Sequence, residues 1–487
     1  MGVTSQETPM TSIHSLPFDV IHAVFRLVTR DNTHFSIAVS HVCSRWRQFA
    51  IDSPCLWSTV SFLHPRTHKL AKGGIIMRIT SPNFEMQRMY LLRSQDYLLE
   101  ISINHRDLED DGGGEYVTFS QKQLSTIMKL VLPHINRWRS FSVGRISHAG
   151  CQNVFDRLLS RDAPNLEVLR ARVTCGTPEA CRWRFRPFRG GLGAPLLHSL
   201  EIGPGIGLRQ WKGHLFSSLK SLRLSYSDEH SRTPTVHLRH LIPLLSLNLS
   251  LQNLSFDFGP HFLSGPDLSG LRESPLVLPY LKSLYLNAAS QTSDGYIKHE
   301  MVDLLLALHI PNLTYLSPSK FRFSSIEKLA SAPIISFNKI QDITLGFPHR
   351  TVDVFRIVTQ LQHLQSLTIV SHFALTSSCD WEIHLVNPLC TMLPHLQTVK
   401  VITETLWDEP VGAIVTMEHL RRICTARSID PDLAPITTVD IRGRKVHDED
   451  REWFDERGIH LIPEPYIPAQ PIPFRKSYGG CRGRKRP

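Results

Sequence analysis

The chain lacks any long apolar run. Its best stretch, Leu304 to Ile310, is seven residues and contains a histidine, well short of the roughly 18 consecutive apolar residues a membrane span needs. No membrane partner is expected. The first fifteen residues hold no apolar block of signal-peptide length, and Gln6 stands where myristoylation wants Ser or Thr. The sequence therefore reads as intracellular, cytoplasmic or nuclear or both. Paired cysteines are missing too. The nine cysteines are scattered and never spaced as C-x-x-C, which argues against a zinc ribbon and against a disulfide framework; reduced, mostly buried thiols are expected.

Catalytic signatures are absent as well. There is no G-x-S-x-G, no G-x-x-x-x-G-K-[ST] and no H-E-x-x-H. Gly203-Pro-Gly205-Ile-Gly207 follows a strand-like segment, but Pro204 and the missing sixth-position glycine make it a turn rather than a phosphate loop. His237 and His240 would share a helical face, without the second ligand pair a zinc ion requires. The expectation is a protein with no cofactor, no metal and no catalysis of its own.

Length and composition favour a large folded body. The 487 residues are 41% hydrophobic and 20% charged, which excludes wholesale disorder. The net charge of +10 looks like a nucleic-acid signal until it is located. Arg475, Lys476, Arg482, Arg484, Lys485 and Arg486 crowd the last 13 residues without an acid, and the other 474 residues carry only +4. A body designed around phosphate would be far more basic, so nucleic acid is not an expected partner. Arg182 to Arg189 alternates cations with aromatics; its simplest reading is an insertion whose rings pack and whose guanidinium groups stay wet.

A short phrase keeps returning: PNLEVLRA from Pro164, PLLHSLEI from Pro195, SSLKSLRL from Ser217, PYLKSLYL from Pro279, PNLTYL from Pro311, QHLQSLTI from Gln362 and PHLQTVKV from Pro394. Weaker copies begin near Trp138, Leu251, Ile340 and Ile436. The period is about 30 residues, too long for adjacent hairpin strands and suited to one short strand plus a return. In Leu219, Leu222 and Leu224 the last two apolar residues are two apart, so they share one face of a strand. Ile297, Met301, Leu304, Leu305 and Leu308 recur at threes and fours, which predicts a helix over 295–310. Such units bury their apolar sides only against neighbours, which favours a curved parallel sheet with helices outside. The phrase resembles irregular leucine-rich repeats over about residues 135–445, and the resemblance implies a solenoid.

The amino terminus carries a different pattern. Ser15 can cap a helix, Pro17 sits where a missing N–H is harmless, and Asp19 meets the positive end of the dipole. Val20, Ile21, Val24, Phe25 and Val28 then form an apolar stripe. A second helix is predicted to carry Ile37, Val39, Val42, Cys43, Trp46, Phe49 and Ala50 until Pro54 stops it. So small a module cannot bury this much apolar surface alone, and a leftover apolar patch usually marks a partner site. The succession Leu16-Pro17, Val20-Ile21, Val24-Phe25, Val42-Cys43-x-x-Trp46-Arg47 and Asp52-x-Pro54-x-Leu56-Trp57 resembles the F-box. That resemblance implies docking on a Skp-type adaptor, and through it on a cullin. Leu16, Pro17, Val20, Ile21, Val24 and Phe25 would be contact residues; Ile37, Val42, Cys43 and Trp46 would divide between contact and internal packing. Leu56 and Trp57 would tie the module to the next element. Trp57-x-x-Val60-x-Phe62 and Leu98-x-x-Ile101-x-Ile103 repeat the strand phrase, so the first atypical strands are expected directly after it, with no floppy linker.

The expected fold class is thus α/β: a short all-α module followed by an irregular leucine-rich-repeat solenoid. The expected limits are 1–12 disordered, 13–58 F-box, 59–134 a connection with the first atypical repeats, 135–445 solenoid, 446–462 a capping helix and strand, and 463–487 a proline-rich basic tail. Within the cap, Asp448 to Glu452 would be a solvated acidic face. The residues flanking each central strand position should line the concave face, where an unidentified protein substrate would bind. Small hydroxyls prevail there, with Arg223, Tyr285 and Lys400 as anchors by residue type. The functional expectation is a non-catalytic substrate receptor of a Skp–cullin–F-box ubiquitin ligase. Its rival is a repeat scaffold outside any ligase, nucleic-acid-associated through the basic tail.

Overall fold

The computed structural model describes residues 16–31, 35–63, 84–103, 119–158, 161–174, 193–203, 218–225, 236–258, 263–264, 275–288, 304–319, 337–347, 361–371, 386–403, 417–442 and 446–463. The expectations for residues 1–12, Ser15, Arg182 to Arg189, the turn from Pro204 to Gly207 and the basic tail after Pro463 lie outside these. Two compact units divide the chain, Met1–Leu281 and Lys282–Pro487.

Unit 1 opens with helices α1 (Phe18–Asp31), α2 (Phe35–Ser40) and α3 (Ser44–Ile51). The single helix expected from Ile37 to Ala50 is broken at 41–43, for a reason written in side chains rather than in periodicity. The Cys43 Sγ accepts the Trp46 N–H at 3.5 Å and so caps α3, while Arg47 Nε donates to the Ser40 carbonyl at 2.9 Å and closes α2. A 3-10 turn at Pro54–Trp57 leads into β1 (Thr59–Phe62). There follow α4 (Glu85–Arg93), β2 (Leu99–Ile103), α5 (Gln121–Val131), β3 (Trp138–Ser147), α6 (His148–Asp156), β4 (Val168–Thr174), β5 (Ser199–Ile202), β6 (Ser221–Ser225), α7 (Leu238–Leu247) and β7 (Asn253–Phe258). His237 lies in an extended pair just before α7 while His240 lies in the helix, so the two do not share a helical face. The seven strands pair in chain order and always in parallel.

Unit 2 continues the same construction with β8 (Ser283–Ala288), β9 (Tyr315–Ser319), β10 (Asp342–Phe347), β11 (Ser366–Ser371), α8 (Asn387–Thr391), β12 (Thr398–Thr403), α9 (Met417–Ile429), β13 (Thr438–Arg442), α10 (Asp448–Asp455) and β14 (His460–Pro463). These strands too are parallel and in order. The ladder of unit 1 therefore starts at Thr59 and that of unit 2 ends at Pro463, both beyond the 135–445 limits expected, and Pro463 belongs to the last strand rather than to the tail. The helix expected over 295–310 falls mostly outside the described residues; it ends before Leu308, which is extended.

The repeat phrase explains the ladder residue by residue. All eleven first positions, from Trp138 to Ile436, are buried, and so is every apolar residue three places on, from Phe141 to Val439. Parallel register places these residues opposite one another; Leu222, for example, sits between Leu200 and Leu254. Burying one such side chain is worth roughly 1.5–3 kcal/mol, so each strand is held by its neighbours. At β2 the phrase slips by one residue. Leu99 rather than Leu98 is sealed, because β3 carries an extra residue between Trp138, opposite Leu99, and Ser140, opposite Glu100.

A helix that turns back into a buried strand leaves carbonyls without partners, and one buried side chain closes each of four such corners. Trp57 Nε1 donates to the Ala50 carbonyl at 2.6 Å, and Trp138 Nε1 to that of Val131 at 3.2 Å. Asn248 Nδ2 donates to Leu244 O while its Oδ1 accepts the Leu219 N–H. Arg427, only 1% exposed, donates to the carbonyls of Ala434, Leu389, Met392, Leu393 and Leu396 at 2.9–3.2 Å. Burial pushes its guanidinium down from the ordinary value. Beside it, burial pushes the Cys424 thiol up to about 12. The acidic segment of α10 is not wholly solvated as expected: Asp450 is buried and accepts from Arg421 Nη2 at 2.6 Å.

Two outcomes follow from this packing. Leu367→Ala should cost roughly 2–5 kcal/mol in urea unfolding, whereas Thr368→Ala, on the open face of the same strand, should stay within about 0.5 kcal/mol. The Cys424 thiol should resist alkylation at pH 8 in the folded chain and react once denatured. Because its folded pKa is raised, the stabilisation is present below the ordinary thiol value of 9.0 and is lost as pH rises toward about 12.

Candidate functional site

Helix α1 has apolar residues on two neighbouring stripes, and the fold uses only one of them. Ile21, Phe25 and Val28 turn inward; Val20, Val24 and Leu27 lie roughly 100° round the helix and face outward. Phe25, 4% exposed, is the hub of an aromatic cluster with Trp46 at 5.1 Å, Phe49 at 5.3 Å and Phe35 at 5.5 Å between ring centroids. Ile21, at 7%, is buried with it. These two expected contact residues are therefore internal packing. Ile37, Cys43 and Trp46 are half-buried.

The outward side keeps Leu16, Pro17, Val20, Val24 and Val42 exposed, the last at 60%. Two further exposed residues escaped the sequence reading: Leu27 at 63% and Phe18 at 59%. Leu27 was legible, since it extends the i, i+4, i+7 line of Val20 and Val24. Phe18 was not, because its spacing of three and seven from Ile21 and Phe25 puts it on the inward stripe, and even against Phe49, 4.5 Å between ring centroids, it stays exposed. Beneath them His22 Nε2 lies 3.0 Å from Cys55 Sγ, and burial pushes that thiol up. A raised thiol in an apolar seat is a poor nucleophile.

The second candidate surface is the open face of each unit's sheet. In unit 1 it is dominated by charges that satisfy each other across strands. Arg139 bridges Glu100 at 3.8 Å and Glu167 at 3.1 Å. Glu201 stands in register between Arg170 and Arg223, and pairs with Arg170 and Arg172. Gly203 makes this possible: a Cβ there would stand 2.7 Å from the Arg172 Cα. Arg223 bonds Asp257 Oδ2 through Nε and Nη2 at 3.1 and 2.8 Å. Burial alone would lower its pKa, but Asp257 holds it above the ordinary value. The expected anchor Arg223 is thus committed to a structural ion pair.

In unit 2 the same face is uncharged over most of its rows. Ser283, Tyr315, Asp342, Ser366, Thr398 and Thr438 form one column. Tyr285 remains exposed, its ring 4.6 Å from that of Tyr315, whose hydroxyl meets Thr344 Oγ1 at 3.0 Å. Lys400 is half-buried in register between Thr368 and Asp440. These anchors are separated by several strands and do not converge.

Among the described residues no cluster of three or more metal-ligating side chains occurs, and no helix is long and apolar enough to cross a membrane. No family model matches the chain. No curated protein matches it. Among solved structures it is similar to the crystal structure of a protein from Bacteroides fragilis, at 14% identity and a TM-score of 0.36, over 75% of this chain and 89% of that one. At that score the likeness adds nothing to what the residues themselves show.

The two stripes of α1 should separate experimentally. Phe25→Ala should cost roughly 3–5 kcal/mol of stability, while Val24→Ser should leave the urea midpoint within about 0.5 kcal/mol of wild type.

Proposed function

We propose that the chain is a substrate-receptor subunit of a Skp–cullin–F-box ubiquitin ligase, with the α1 face holding a Skp-type adaptor and the repeat sheet holding a target protein. The observation that carries this reading is the exposed line of Leu16, Val20, Val24 and Leu27, joined by Val42, on residues that follow the F-box order. A folded chain that leaves this much aliphatic surface in water gains by covering it with a partner. The inward turn of Ile21 and Phe25 fits the same reading, since it stiffens the helix that offers the patch. The strand ladder, with one buried phrase per strand, supports an irregular leucine-rich-repeat solenoid as the target-holding part.

In this role the chain makes and breaks no bond. Its contribution is proximity: a target held beside a loaded ubiquitin-conjugating enzyme reacts as though at high local concentration. The helices and the first strands share a continuous buried core through Leu56, Trp57 and Val60, which suits a part that must hold its cargo at a set position.

Capture of a Skp-type adaptor by the purified full chain tests the reading. Wild type should bind, and Val24→Glu and Leu27→Glu should each weaken binding by at least about tenfold, because each places a charge in an apolar contact. Their melting temperatures should match wild type. If the wild-type chain captures no adaptor, the ligase assignment fails and a scaffold outside any ligase is the better account.

A further inference from the structure

We infer that the helices at the amino terminus are the outer layer of the ladder's first repeat, not a separate domain, and that Trp57 is the latch fixing the exposed α1 face to the sheet. The geometry is duplicated two strands further on. Helix α3, the 3-10 turn Pro54–Trp57 and strand β1 repeat the plan of helix α5, the 3-10 turn Leu132–Arg137 and strand β3. Each turn has a proline in its first two positions, at 54 and 133. Each strand is entered through a fully buried tryptophan in the first position of the repeat phrase. In each, the indole N–H reaches back seven residues to a carbonyl in the last turn of the helix.

A detachable module would be joined by exposed chain. Here Ser53, Cys55, Leu56, Trp57, Ser58 and Val60 are buried. The Trp57 ring meets Tyr90 of α4 edge-on at 5.1 Å and carries the Arg93 guanidinium at 4.5 Å on its face, so one side chain touches both the helices before it and the helix after it. Ser36 Oγ donates to the Leu56 carbonyl, which ties α2 to the same turn. Opening the helices therefore exposes the entry to β1, and the two must open together.

The consequence for the α1 face rests on the adaptor reading, but the latch does not, and its test uses no adaptor. Native-state hydrogen exchange on the full chain, followed against urea, reports where segments open together. In wild type, residues 35–51 and 59–62 should lose protection at one urea concentration. Trp57→Phe, which keeps a ring and removes only the donor, should speed exchange about tenfold in both segments at once, in line with a buried carbonyl left without its partner. Residues 398–442 should be unchanged. Trp138→Phe, at the duplicate corner, should act in the same way on residues 121–131 and 138–143. Loss of protection in 35–51 at lower urea than in 59–62 in the wild-type chain would overturn the inference. So would a Trp57→Phe chain that exchanges like wild type or that opens residues 35–51 alone.

Discussion

A parallel strand cannot fold back on its predecessor, so each strand of this chain must bury its apolar side by lying in register beside the one before it. That constraint organises everything else. It makes Leu200, Leu222 and Leu254 neighbours although about 20 to 30 residues separate them in sequence. It also forces a return path between strands, and with it a corner where helix carbonyls lose their partners. The four corner residues Trp57, Trp138, Asn248 and Arg427 are three chemically different answers to that one problem: an indole, an amide and a guanidinium.

The same constraint divides the two faces of the sheet. One is filled by the leucines and their equivalents. The other is free to vary, and the two units vary it differently: in unit 1 arginines and carboxylates alternate across strands and neutralise one another, while in unit 2 hydroxyls prevail around a tyrosine pair. Surface ion pairs of this kind add little stability singly. Their effect is to occupy the side chains that would otherwise attract a charged ligand.

The ladder was legible in the sequence because the apolar phrase recurs at fixed offsets and burial follows it at all eleven copies from Trp138 to Ile436. What the phrase could not convey was local. The break at 41–43 depends on a cysteine acting as a helix cap, a role its residue type does not announce. The choice between Val20 with Val24 and Ile21 with Phe25 as the outward pair was hidden, since both stripes are apolar and only the partners Phe35, Trp46 and Phe49 decide it. Arg223 looked like an anchor because Asp257, 34 residues away, is not an evident neighbour until the strands are in register. Asp450 looked solvated because its partner Arg421 lies 29 residues earlier, on another helix.

Arg427 holds its corner with carbonyl oxygens alone, and these have no proton to gain. Acid that would neutralise a carboxylate leaves the five bonds of Arg427 untouched, since each of them ends on a backbone carbonyl. This helix corner of unit 2 is thus fastened by a cation whose hydrogen-bond acceptors all carry no charge.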